Sequence, residues 1–196
     1  MKQSGLACMK GNEPIAHLSK DCHQRLLDDR CMVVDVETTG LSPRRGDRVI
    51  EIGAISIQNK IIVEEFHTLI QINKRIPMQA QQIHGITNAM LVGKPKPEEV
   101  FPRFRAFIAD SVLVAHNAQF DVGFLRHEFG RLGFGFDNRY VCTLEMSRAH
   151  FPRLRDHKLQ AVYRHLFREP IGAIQQHRAL DDARMVARVW MELMKR

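Results

Sequence analysis

The stretch Cys31-Met32-Val33-Val34-Asp35-Val36-Glu37-Thr38-Thr39-Gly40 decides how this chain folds. From Cys31 to Val36 it is almost wholly apolar and β-branched, the composition of a strand covered on both faces at the centre of a sheet. Side chains two apart on a strand share a face, so Asp35 and Glu37 emerge together while Val34 and Val36 pack behind them. The run is too apolar for a sheet edge, and an acid at the end of a buried strand requires a partner. Thr38-Thr39-Gly40 ends the strand, and Gly40 allows a close backbone approach to a ligand.

Working outward, residues 49–57 and 61–72 read as two further strands. They are joined through Gln58-Asn59-Lys60, where Asn59 accepts the positive φ of a tight hairpin. Pro97, Glu98 and Glu99 open a helix that runs to about residue 109, followed by a short strand over 111–115. Helices are predicted over 120–131, 143–149, 157–167 and 179–194, with a brief strand near 139–141. Three antiparallel strands followed by alternating helices and strands imply an α/β fold, a mixed five-stranded sheet flanked by helices on both faces. Residues 1–28 read as an N-terminal extension, with a short helix over 20–28 carrying Leu26 and Leu27, ahead of a domain spanning 29–196.

A length of 196 residues and 44% hydrophobic content suit one compact domain with a real core. The net charge of +7 favours a polyanionic partner, because Lys and Arg gain affinity by displacing counterions from phosphates. The N-terminal residues lack the apolar stretch of a secretion signal, and no run approaches the length of a membrane span, so a cytoplasmic setting without a membrane partner is expected. Cys8, Cys22, Cys31 and Cys142 lack Cys-x-x-Cys spacing, which points to reduced thiols. Cys8, Cys22 and Cys31 with His23 make an irregular, weak zinc pattern.

Two further acidic positions stand in distinctive contexts. Asp121 closes His116-Asn117-Ala118-Gln119-Phe120-Asp121, and Asp182 lies in His177-Arg178-Ala179-Leu180-Asp181-Asp182. Asp121 follows a short buried strand and a polar turn, which sets it near a helix start; taken alone it reads as a capping or dipole-balancing residue. His177 precedes the first turn of the last helix, where its imidazole can hang over Asp182 and accept a proton near neutral pH. Asp181 faces elsewhere, since adjacent helical residues diverge by about 100°. Asp35, Glu37, Asp121 and Asp182 gathered in one pocket would repel by roughly 1 to 4 kcal/mol per close pair, so cations must join them. Oxygen ligands suit magnesium or manganese, and a pair of such ions serves in-line attack on a phosphodiester.

These motifs, in this order and separation, resemble the DEDDh-type 3′-to-5′ exonucleases of the DnaQ-like group, which includes DNA polymerase III epsilon subunits and ribonuclease T. The resemblance spans about residues 31 to 194 and implies a ribonuclease H-like fold. It implies that Asp35 bridges two Mg2+ or Mn2+ ions, that Glu37 and Asp182 complete the tighter site, that Asp121 serves the second ion, and that His177 is the general base. Thr38, Gly40 and Leu41 would cradle the terminal nucleotide, with Leu41 against the last base. Asn117 and Phe120 would contact sugar or base, and His84, in Ile83-His84-Gly85-Ile86-Thr87, resembles a substrate-facing loop residue. The implied reaction releases nucleoside 5′-monophosphates from nucleic acid with a free 3′ end, single-stranded or frayed, with DNA the first expectation and a DNA polymerase subunit an expected partner. An RNA-trimming enzyme, a non-catalytic polymerase accessory subunit and a phosphatase of small nucleotides are the alternatives. Arg148, Arg153, Arg155, Lys158, Arg164 and Arg168 form either a phosphate track or a solvated helix face.

Overall fold

The computed structural model describes residues 30–169 and 177–195. The expected helix over 20–28 lies outside them, as do Cys8, Cys22 and His23. In chain order the elements are β1 (Cys31–Thr38), β2 (Val49–Gln58), β3 (Ile61–Leu69), α1 (Met78–His84), α2 (Asn88–Leu91), α3 (Pro97–Ile108), β4 (Val112–Ala115), α4 (Ala118–Arg131), β5 (Tyr140–Cys142), α5 (Thr143–His150), α6 (Leu159–Phe167) and α7 (Ala179–Leu193). The strands form one sheet in the order β3-β2-β1-β4-β5. β1 pairs antiparallel with β2 and parallel with β4, and β4 pairs parallel with β5. The apolar run of the sequence is thus the central strand, as its composition requires.

Alternation along β1 divides the core in two. Met32, Val34 and Val36 face Phe101 and Phe104 of α3 and Phe124 and Phe129 of α4. Cys31 and Val33 face Val162 and Tyr163 of α6 and Val186 and Trp190 of α7. Asp35 and Glu37 continue the second row, so they leave the strand on the face that α7 covers. Cys31 is buried in this core, and burial pushes its thiol up to about 12.

The hairpin between β2 and β3 turns at Asn59 and Lys60, both with positive φ, as the tight-turn reading requires. β3 stops at Leu69 rather than 72, and α6 begins at Leu159 rather than 157 because Lys158 is its N-cap. The short helices α1 and α2 were not anticipated. α1 spans seven residues between Pro77 and a left-handed Gly85, too short to display an apolar period. Among the described residues no helix is long and apolar enough to cross a membrane.

One glycine sets how α7 meets the sheet. Gly53 of β2 lies directly opposite Asp35. A Cβ placed there would fall 2.2 Å from the Ala179 carbonyl carbon and 2.2 Å from the Leu180 nitrogen. The first turn of α7 therefore rests on bare β2 backbone, which lowers Asp182 toward Asp35 and Glu37. Gly53→Ala is expected to destabilise the protein by about 1–3 kcal/mol through overpacking against backbone. Thermal melting checks this, and an unchanged melting temperature would show that α7 does not press on this position.

Candidate active site

The carboxylates converge from three elements. Asp35 and Glu37 come from the end of β1, Asp121 from the first turn of α4, and Asp182 from the first turn of α7. Asp121 is 3% exposed, and its Oδ1 accepts the Val36 amide at 3.1 Å, which ties the start of α4 to the end of β1. Asp182 is also buried; its Oδ2 accepts the His177 amide at 3.1 Å, and its Oδ1 has no hydrogen-bond partner. Donor atoms of Glu37, His177 and Asp182 all lie within 4.8 Å of one another. Asp181 points away and pairs with Arg184.

The electrostatics follow from this crowding. Burial first, then the Asp121, Asp182, Glu37 and Glu51 charges, hold the Asp35 carboxyl well above the ordinary carboxylate range. Burial, followed by Asp182, Glu51 and Asp121, pushes Glu37 up to about 8 against a lowering pull from Arg178. Burial raises Asp121 to about 8 despite the Val36 amide. It raises Asp182 to about 6, opposed by His177. Asp35, Glu37 and Asp121 therefore hold protons near neutral pH, whereas Asp182 is largely ionised there. An unpartnered buried oxygen on Asp182, set among acids that cannot all ionise, is a donor set that fits divalent cations.

Beside the acids lies an open cleft of about 370 Å3, lined by Glu37, Thr38, Gly40, Leu41, Ile83, His84 and Phe120 among others. The sequence-predicted residues Thr38, Gly40, Leu41, His84 and Phe120 meet there. Leu41 is 84% exposed, an apolar side chain presented to whatever enters. Asn117 does not line the cleft; it is the exposed, left-handed N-cap of α4.

Two of these residues also have partners within the protein. The space beside the Gly40 backbone is taken by the protein itself: a Cβ there would lie 2.4 Å from an Asp47 carboxylate oxygen. That carboxylate accepts from the Ser42 amide and pairs with Lys74, so glycine is required for loop packing. His84 is not a loop residue. It ends α1, is buried, and its Nδ1 accepts the Ile86 amide at 3.0 Å, with burial lowering its pKa and keeping the ring neutral. Thr38 likewise spends its hydroxyl on the Gly40 carbonyl.

The residues missed from sequence are supporting ones. Glu51 of β2 is wholly buried and lies directly across from Glu37. It accepts from Arg178 Nη2 at 2.7 Å, Arg178 Nε at 3.1 Å and the Ala179 amide at 3.0 Å, and its Oε1 lies 2.8 Å from His67 Nε2. Burial works against its ionisation, yet these partners hold it down at about 2. A lone carboxylate inside the apolar run Val49-Ile50-Glu51-Ile52 was the available signal. The turn before Asn117 is held similarly. Burial pushes His116 down to about 4, so it is neutral; its Nε2 lies 2.8 Å from the His157 carbonyl and its Nδ1 3.0 Å from Thr143 Oγ1. None of Arg148, Arg153, Arg155, Lys158, Arg164 and Arg168 forms an ion pair among the described residues.

The chain is 42% identical over 173 residues to the DNA polymerase III PolC-type of Thermotoga maritima, covering 86% of this chain but only 12% of that protein. It is 35% identical over 171 residues to the DNA polymerase III subunit epsilon of Aquifex aeolicus, covering 87% of this chain and 83% of that subunit. Among solved structures, exonuclease X in complex with 5′ overhanging duplex DNA matches with a TM-score of 0.68 and 28% identity, over 84% of this chain and 91% of that one. E. coli exonuclease I in complex with a dT13 oligonucleotide shares the fold, with a TM-score of 0.73 and 18% identity over 85% of this chain and 41% of that one. Residues 32–190 match the family model described as RNase_T, exonuclease, and the chain accordingly belongs to that family, the DnaQ-like 3′-to-5′ exonucleases its acidic motifs resemble.

Proposed function

We propose that this site hydrolyses the last phosphodiester at free 3′ ends of single-stranded or frayed DNA, releasing nucleoside 5′-monophosphates, with two magnesium or manganese ions held by Asp35, Glu37, Asp121 and Asp182. The observation that carries this reading is the convergence of these acids and His177 beside a cleft able to take one nucleotide. Bound divalent ions would balance the carboxylate charge and polarise the scissile phosphate.

The protein's own groups account for the rest. His177, exposed at the rim, accepts the proton as water attacks phosphorus; the bond to the 3′ oxygen breaks, and that oxygen takes a proton from solvent. Leu41 and Phe120 offer apolar contact to the terminal base, which favours an unpaired end because a paired base cannot enter. The unpaired basic residues between Arg148 and Arg168 suit the phosphates of the upstream strand. Their affinity would carry no base preference.

DNA is favoured because the polymerase III relatives and the two exonucleases named above are DNA enzymes by name or bound ligand. The same relatives support a proofreading role beside a polymerase III-type partner, in a reducing cytoplasm that suits the buried free thiols of Cys31 and Cys142.

Digestion of matched single strands labelled at either end tests the reading. Mononucleotide release should require magnesium or manganese, start at the 3′ end and be slower on a matched RNA; RNA preference, or 5′ release, would contradict it. Asp35→Ala should abolish turnover with near-normal folding, because removing one acid from a crowded set relieves repulsion. Circular dichroism and the same assay check this, and retained turnover would refute the ion assignment.

The raised acids also predict a pH dependence. In the ion-free protein their protonated forms contribute stability that is complete below the ordinary carboxylate range and lost as pH rises through about 6 for Asp182 and about 8 for Glu37 and Asp121. The melting temperature of chelator-treated protein should therefore fall between pH ~5.5 and ~8.5, and added Mn2+ should raise it more at the higher pH. A Mn2+ effect that shrank with rising pH would contradict this.

A further inference from the structure

We propose that Glu51 is a positioning residue for the reaction, holding Arg178 and the Ala179 amide so that His177 stays aimed at the acid cluster. The inference rests on reading His177 as the base.

Carboxylates directly opposite on adjacent strands are destabilising, and Glu51 faces Glu37 in register. A wholly buried carboxylate here adds a desolvation cost, so its partners must outweigh both. Apart from His67, those partners are Arg178 and Ala179, the two residues that follow His177. The guanidinium binds through both Nε and Nη2, a fork that fixes orientation as well as distance.

The anchor sits where the chain needs one. His177 has a φ of 59°, a left-handed conformation that is unfavourable for a non-glycine residue and persists only when its neighbours impose it. On one side its amide is held by Asp182 Oδ2. On the other, the hold comes from Glu51 through Arg178 and Ala179. Without Glu51 the turn after His177 keeps its packing on Gly53 but loses the side-chain hold on Arg178 and Ala179, and the direct bond to His177 itself comes from a residue proposed to carry ions. An ion pair that merely fastened α7 to β2 could sit anywhere along the helix. This one grips the turn that carries the base, and it leaves the Arg178 side chain only 21% exposed.

The test compares Glu51→Gln, in the full chain, with the wild-type protein and with His177→Ala. Two measurements are made: steady-state release from a 3′-labelled single strand with Mn2+, and ring resonances of His177 in chelator-treated protein. Glu51→Gln should lower kcat by about 10- to 100-fold with KM nearly unchanged, as misplacement of a reacting group does. Placed in the His177→Ala background it should change kcat by less than about twofold, because there is no base left to misplace. The His177 resonance should shift or broaden in Glu51→Gln while that of the distant His127 stays put. Should Glu51→Gln fail to fold, Arg178→Ala takes its place with the same expectations. An unmoved His177 resonance, or an undiminished loss of kcat in the His177→Ala background, overturns the proposal. Absence of nucleotide release by the wild-type protein would instead defeat the exonuclease reading, and the resonance would still decide whether Glu51 positions His177.

Discussion

Mutual repulsion among carboxylates held at one end of β1 is the constraint that organises this molecule. Asp35, Glu37, Asp121 and Asp182 are too close and too buried to ionise together, and the fold tolerates them only because rigid backbone leaves no escape. β1 is pinned between β2 and β4, α4 is tied to it by the Val36 amide on Asp121, and α7 is lowered onto it over Gly53. Each tie has backbone on at least one side. Under the proposed function, ion binding at this site would release protons from the acids.

Glu51 shows the opposite treatment of the same functional group a few ångströms away. Burial disfavours its charge as it does that of Glu37, but an arginine fork, a backbone amide and a histidine keep it ionised at about 2 while Glu37 rises to about 8. Environment alone separates a supporting carboxylate from reacting ones. A buried charge with its full complement of donors is a fastener; a buried charge without them is a demand for a ligand. The unpartnered Oδ1 of Asp182 belongs to the second kind.

Much of this was legible in the sequence because it depends on local pattern. The apolar run before Asp35 marks a central strand, Asn59-Lys60 marks a hairpin, and the alternation after Pro97 marks the helix and strand section; each appears at its expected place. The acids were legible as a set because their contexts are separately distinctive. What escaped depends on contacts remote in sequence. Gly53 is a strand glycine like any other until the turn of α7 at Ala179 lands on it, and Glu51 acquires meaning only when Arg178 arrives from 127 positions away. Gly40 and His84 line the cleft, and their contacts with Asp47 and the Ile86 amide could not be read from the sequence. α1, which supplies one wall of the cleft, and α2 are too short for periodicity to announce.

The central claim is that the acids at the end of β1 hold a pair of ions. Anomalous diffraction from crystals soaked in Mn2+ measures this directly. The account predicts two peaks at the end of β1, held among Asp35, Glu37, Asp121 and Asp182. A single peak that ignores Asp35, or peaks that lie only on the surface of a protein active in the same solution, would contradict it.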